Sequence, residues 1–177
     1  MNLPNKLTVL RVILIVPFVV IMLTECCGEY SRWIALALFA IASFTDFLDG
    51  NIARRKGIVT NFGKFMDPVA DKLLVCAAML CLLDNGSIPA WVVIVILSRE
   101  FIISGFRTVA ADNGVVIAAS YWGKFKTVSQ MIMIILMICD FSFLRVTTLV
   151  VMYIAVVLTV ISLVDYIVKN IDVIKEK

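Results

Sequence analysis

Residues 31–83 read SRWIALALFAIASFTDFLDGNIARRKGIVTNFGKFMDPVADKLLVCAAMLCLL, two apolar runs on either side of one short basic turn. Each run has the length a helix needs to cross a bilayer, about 20 residues. Lipid offers the backbone no partner, so a spanning segment must pair its own N–H and C=O groups as a helix or within a closed barrel. The stretch therefore predicts antiparallel helices over about 31–53 and 64–83, joined around Arg54, Arg55 and Lys56.

Working outward, the same criterion finds apolar runs at about 7–24, 88–110, 122–140 and 146–168. The expected fold is all-α: an integral membrane bundle of six transmembrane helices, one domain over 1–177, with both termini on the same side. The apolar content of 62% lies well above the roughly 45–50% usual in soluble domains. The first run lacks a small-x-small cleavage site and is interrupted by Pro17, so it is read as a mature helix and not as a secretory signal. Ahead of it, Asn2 to Thr8 resembles a short interfacial segment with Asn5 placed to cap the helix. The tail from Lys169 to Lys177 reads as a charged helix end among headgroups.

Placement of charge orients the bundle, because loops kept on the cytoplasmic side carry an excess of Lys and Arg. With the N-terminus inside, Lys6, Arg11, Arg54, Arg55, Lys56, Lys64, Lys72, Arg99, Arg107, Lys124, Lys126, Lys169, Lys175 and Lys177 all fall in or toward the cytoplasmic half, and only Arg32 and Arg145 do not. Both termini are thus expected in the cytoplasm, in a multi-pass protein of the cell membrane. The net charge of +3 says less than this asymmetry, which suits anionic headgroups and phosphates; no nucleic-acid partner is expected. Trp33, Trp91, Tyr121 and Trp122 sit near span ends as an interfacial belt. The five cysteines form no CxxC pair and there is no histidine, so neither zinc nor a disulfide framework is indicated. Cys26 and Cys27 are read as small apolar filler.

All connections are short, so function must lie among the helices or at their ends. Asp46, Asp49, Asp67 and Asp71 place four carboxylates in or beside spans, where one charge costs at least about 2.5–3.5 kcal/mol. Spacings of three and four residues put each pair on one face of its helix, and the short turn brings both pairs to the same end. Converging carboxylates repel unless protonated or bridged by cations, and an all-oxygen site suits Mg²⁺ or Mn²⁺. Two such ions about 3.5–4 Å apart clamp a phosphoryl group. Gly50 and Ala53 share the face of Asp46 and Asp49, Gly63 leaves room opposite, and Arg54 and Lys56 could meet phosphates. Taken singly, Asp67 before Pro68 also reads as a helix start, and Asp46, Asp49 and Asp71 as interfacial charges paired with Lys64 or Lys72.

The pattern Asp46-x-x-Asp49-Gly50-x-x-Ala53-Arg54, eight residues, then Gly63-x-x-x-Asp67-x-x-x-Asp71 resembles the signature of the CDP-alcohol phosphotransferase family, with every signature position filled. The resemblance implies a six-helix, homodimeric membrane fold that binds the CDP moiety and two divalent ions at the cytoplasmic interface. Asp46, Asp49 and Asp67 would be metal ligands; Asp71 would be the general base and a further metal ligand. Gly50, Ala53, Arg54 and Gly63, with Asp46, Asp49 and Asp67, would form the nucleotide site.

Members of that family use different acceptor alcohols, so residues outside the motif must choose. Arg99, Arg107, Lys124 and Lys126 gather cations near the cytoplasmic ends of the fourth and fifth helices, a pocket that favours a phosphorylated acceptor over serine. Arg99 lies inside a span beside Glu100, where an ion pair or a ligand must hold it. The stretches Asn2-Leu3-Pro4-Asn5-x-Leu7-Thr8-x-x-Arg11, Arg99-Glu100-Phe101 and Gly123-Lys124-x-Lys126-Thr127 resemble the branch that accepts glycerol 3-phosphate. Thr8 and Arg11 join the expected acceptor-phosphate residues, with Arg99 and Lys124 as its direct contacts. The expected partners are CDP-diacylglycerol, glycerol 3-phosphate and membrane lipid. Inositol phosphate or serine remain alternative acceptors, and a cation transporter is the alternative of a different class.

Overall fold

Apolar runs too long for a soluble core and too poor in turn residues for strands become helices. The computed structural model describes residues 3–56, 61–112, 114, 117 and 120–171, with the backbone alone at 3, 4, 46–56, 61–65, 67, 68 and 112. The helices are α1 (Leu3–Thr24), α2 (Ser31–Lys56), α3 (Asn61–Asp84), α4 (Ala90–Asp112), α5 (Tyr121–Cys139) and α6 (Arg145–Asn170), with single 3-10 turns at Gly28–Tyr30 and Ser142–Leu144. No strand occurs among the described residues.

Two local expectations are corrected. Asn5 does not cap α1, which begins at Leu3; it lies inside the helix on its buried face. Asp67 and Pro68 do not start α3, which begins at Asn61, so Asp67 stands well within the helix. The first three residues of the expected connection from Arg54 to Asn61 are helical, as far as Lys56; residues 57–60 and the tail beyond Ile171 lie outside the described residues.

Helix ends follow their sequence. At the end of α3, Gly86 takes φ +74°, and the Gly86 and Ser87 N–H groups donate to the carbonyls of Leu83 and Leu82 at 3.1 and 2.9 Å. That pairing satisfies carbonyls the helix leaves open, at a backbone angle that glycine adopts without a Cβ penalty. At the start of α5, Ser120 is extended and its Oγ accepts from the Gly123 N–H at 3.2 Å.

The chain divides into two compact units, Met1–Ser87 and Ile88–Lys177. In the first, α1 packs against both α2 and α3, and α2 against α3. Phe18 and Phe39 meet with ring centroids 5.9 Å apart, and Ala35, Ala42, Ala70 and Ala78 are buried, the small residues that let helix backbones approach closely. In the second, α6 packs against both α4 and α5. Its buried residues Met152, Ala155, Thr159, Ser162 and Tyr166 recur at alternating three- and four-residue steps, one seam along the helix.

The opposite face of α6 exposes Val146, Val150, Val157, Val164 and Val168. A helix apolar on its outer face as well as its seam is at home in lipid. Three stretches among the described residues are long and apolar enough to cross a membrane: Asn5–Thr24, Tyr121–Cys139 and Ser142–Asn170.

Candidate functional site

The acidic positions belong to the first unit. Asp46, Asp49, Gly50, Ala53 and Arg54 lie in the last turns of α2, and Gly63, Asp67 and Asp71 in the first turns of α3. The two helices are in contact, and only residues 57–60 separate them. The end of one therefore lies by the start of the other, and the backbone brings the two carboxylate pairs to one end of this unit. Asp71 is exposed there.

α1 supplies the third wall of the same unit. Asn5, Thr8 and Arg11, followed by Ile15 and Phe18, form one buried face. Arg11 is 0% exposed, and a guanidinium so placed must be held by polar partners. Thr8 and Arg11, expected to meet acceptor phosphate, both lie on this buried face of the first unit. Arg11→Met is expected to lower the thermal unfolding midpoint in detergent, since leaving buried polar partners unsatisfied costs about 1–3 kcal/mol. Lys6→Met, at an exposed position of the same helix, should leave the midpoint in place; equal effects would remove the special role of Arg11.

The second unit holds a buried polar cluster. Arg99 Nη1 donates to Glu100 Oε1 at 2.9 Å, and Arg99 Nη2 donates to Ser162 Oγ at 2.6 Å. Lys126 Nζ donates to the same Glu100 oxygen. Lys126 is 1% exposed and Arg99 8%. Two cations thus share one carboxylate oxygen. The guanidinium also stands beside Gly123, in the first turn of α5. A helix N-terminus carries about half a positive charge on its open N–H groups, so these cations add to its field instead of opposing it. Guanidinium and ammonium groups beside a helix N-terminus are chemically suited to an anion.

Arg99 and Lys126 are therefore brought together by Glu100, while Lys124, expected with Arg99 as a direct contact of the acceptor phosphate, takes no part in these hydrogen bonds. Lys124 is exposed, its Nζ 5.3 Å from the centroid of the Tyr121 ring. Arg107, also exposed, lies with its guanidinium carbon 5.9 Å from the Tyr166 centroid. The ion pair of Arg99 with Glu100 is one of the two expected ways of holding that guanidinium; the sharing of the carboxylate with Lys126, and Ser162, were not read from the sequence. The signal for Ser162 was its place, with Thr159, at polar steps in an otherwise apolar seam.

Among the described residues no group of three acidic, cysteine or histidine side chains forms a metal cluster; the side chains of Asp46, Asp49 and Asp67 are not among those described. The donor set at those positions, carboxylates in a chain without histidine, fits a hard divalent cation by its chemistry.

Residues 1–161 match the CDP-alcohol phosphatidyltransferase family. The chain belongs to that family, a class of membrane transferases. It is 50% identical over 141 residues to the CDP-diacylglycerol–glycerol-3-phosphate 3-phosphatidyltransferase of Bacillus subtilis (strain 168), covering 74% of this chain and 73% of the relative. Proteins of the same name from Haemophilus influenzae and Rickettsia typhi are 39% and 38% identical over 173 and 166 residues. These matches cover 93% and 91% of this chain, and 91% and 92% of the respective relatives.

Proposed function

We propose that this chain transfers a phosphatidyl group from CDP-diacylglycerol to sn-glycerol 3-phosphate, giving phosphatidylglycerophosphate and CMP. The observation that carries this reading is the buried Arg99, Glu100 and Lys126 cluster, whose two cations suit the phosphate of the acceptor. The names of the relatives support the same acceptor.

Asp46, Asp49, Asp67 and Asp71 would hold two Mg²⁺ or Mn²⁺ ions, whose charge would stabilise the diphosphate oxygens. Gly50, Ala53, Arg54 and Gly63 complete the nucleotide site. Arg99 and Lys126 hold the acceptor phosphate, with Arg107 and Lys124 as outer cations. The carboxylate of Asp71 takes the proton of the acceptor hydroxyl. The freed oxygen attacks the phosphorus that bears the lipid, the bond between the two phosphates breaks, and CMP leaves.

The match over 1–161 crosses both units, which supports one functional domain over 1–177. Six spans with both termini in the cytoplasm, a homodimer, and an active site at the cytoplasmic face of the cell membrane complete the proposal. The charge asymmetry supports the orientation.

Purified enzyme in detergent with CDP-diacylglycerol and Mg²⁺ is expected to release CMP when glycerol 3-phosphate is added. Inositol phosphate, serine or no acceptor should give only background. Release driven by another alcohol would keep the chemistry and overturn the acceptor; ion flux without release would end the enzyme reading.

A further inference from the structure

The proposed acceptor site depends on where one guanidinium points, and residues on α4, α5 and α6 set that. Glu100 takes Arg99 Nη1 and Ser162 takes Nη2. Against the same nitrogen stands Gly123, where an added Cβ would lie 3.3 Å from Arg99 Nη2 and 3.9 Å from Ser162 Oγ. Gly123 lies within a regular helix and has no positive φ. Its backbone does not call for glycine, so the missing side chain serves the guanidinium.

Ser162 is fully buried in the α6 seam. Packing alone gives no reason for a hydroxyl there, since alanine would fill nearly the same space without a polar atom to satisfy. Its use is the hydrogen bond it accepts from Arg99. Guanidinium has five N–H donors, and the Nε of Arg99 is buried without a protein partner. A buried guanidinium donor left open, with a second cation on the same carboxylate, is what an anionic ligand would complete.

We infer that Ser162 is a positioning residue for the acceptor phosphate: with the space left by Gly123, it holds the Arg99 guanidinium in the orientation that meets the phosphate. This rests on the proposed role of Arg99 and Lys126.

Steady-state kinetics in detergent test it, with inorganic phosphate as a competitive probe against glycerol 3-phosphate. Ser162→Ala should raise KM for glycerol 3-phosphate by about tenfold or more, the effect of losing a hydrogen bond to a charged group. The inhibition constant of phosphate should rise in parallel, while kcat and KM for CDP-diacylglycerol change by less than about twofold. Ser162→Thr, which keeps the hydroxyl, should recover most of the acceptor affinity. Gly123→Ala should raise the same KM by a smaller factor, and it reads the same quantity should Ser162→Ala not fold. If Arg99→Gln weakens the acceptor and phosphate but Ser162→Ala and Gly123→Ala do not, the positioning role is wrong and the acceptor site stands. A fall in kcat with both KM values unchanged would make Ser162 merely structural. If Arg99→Gln leaves the acceptor KM unaltered too, the acceptor assignment falls and takes this inference with it.

Discussion

Asp71→Asn is expected to reduce CMP release by at least about 100-fold, the lower end of what a positioned general base contributes. Asparagine keeps the shape and one oxygen of the side chain but cannot take a proton from an alcohol. The residue is exposed in the early turns of α3, so the substitution leaves no cavity and the folded yield should not change. Asp84→Asn, an exposed carboxylate at the last residue of the same helix, should retain full activity. That contrast separates the base from a general need for negative charge on α3. Activity of Asp71→Asn within tenfold of the parent would remove Asp71 from the base role, while leaving the other three aspartates as candidates for metal.

The helices were legible in the sequence because their signal is one-dimensional: runs of apolar residues bounded by charge, in a solvent that leaves the backbone few alternatives. Their ends were less so. Asn5 has the chemistry of a cap, yet α1 starts ahead of it and buries it against the rest of the first unit; tertiary contact overrode local preference. Asp67 and Pro68 likewise have the form of a helix start, but α3 continues upstream to Asn61.

The acidic motif was readable because its information lies in spacing along two adjacent helices. The residues proposed for the acceptor come from different helices, and there the pattern could not say which lysine turns inward. Lys124 and Lys126 are two residues apart on α5, about 200° around a helix, so if one faces the seam the other must face outward. The choice fell to Lys126, whose partner Glu100 lies on α4. The polar step at Ser162 was visible in the α6 seam, but not its partner: that is Arg99, sixty-three positions earlier in the chain.

Glu100 is the carboxylate that joins the two buried cations of the second unit. Its Oε1 accepts from both Arg99 and Lys126, and its side chain is itself four-fifths buried. Glu100→Gln keeps an oxygen at that position but removes the only negative charge in the cluster named here, leaving two cations beside the first turn of α5. Removing one partner of a buried pair typically costs about 3–5 kcal/mol, because the remaining charge is uncompensated. The variant is therefore expected to unfold at a markedly lower temperature in detergent. The same electrostatics predict a partial rescue. An anion that binds only the folded state stabilises it in proportion to its affinity, and phosphate meets a stronger positive field once the carboxylate is gone. Millimolar inorganic phosphate or glycerol 3-phosphate should accordingly raise the unfolding midpoint of Glu100→Gln by more than that of the parent, and added NaCl at equal ionic strength should not. A variant as stable as the parent would mean that the carboxylate does not hold the two cations. Destabilisation without rescue would mean that it does, but that no phosphate binds between them.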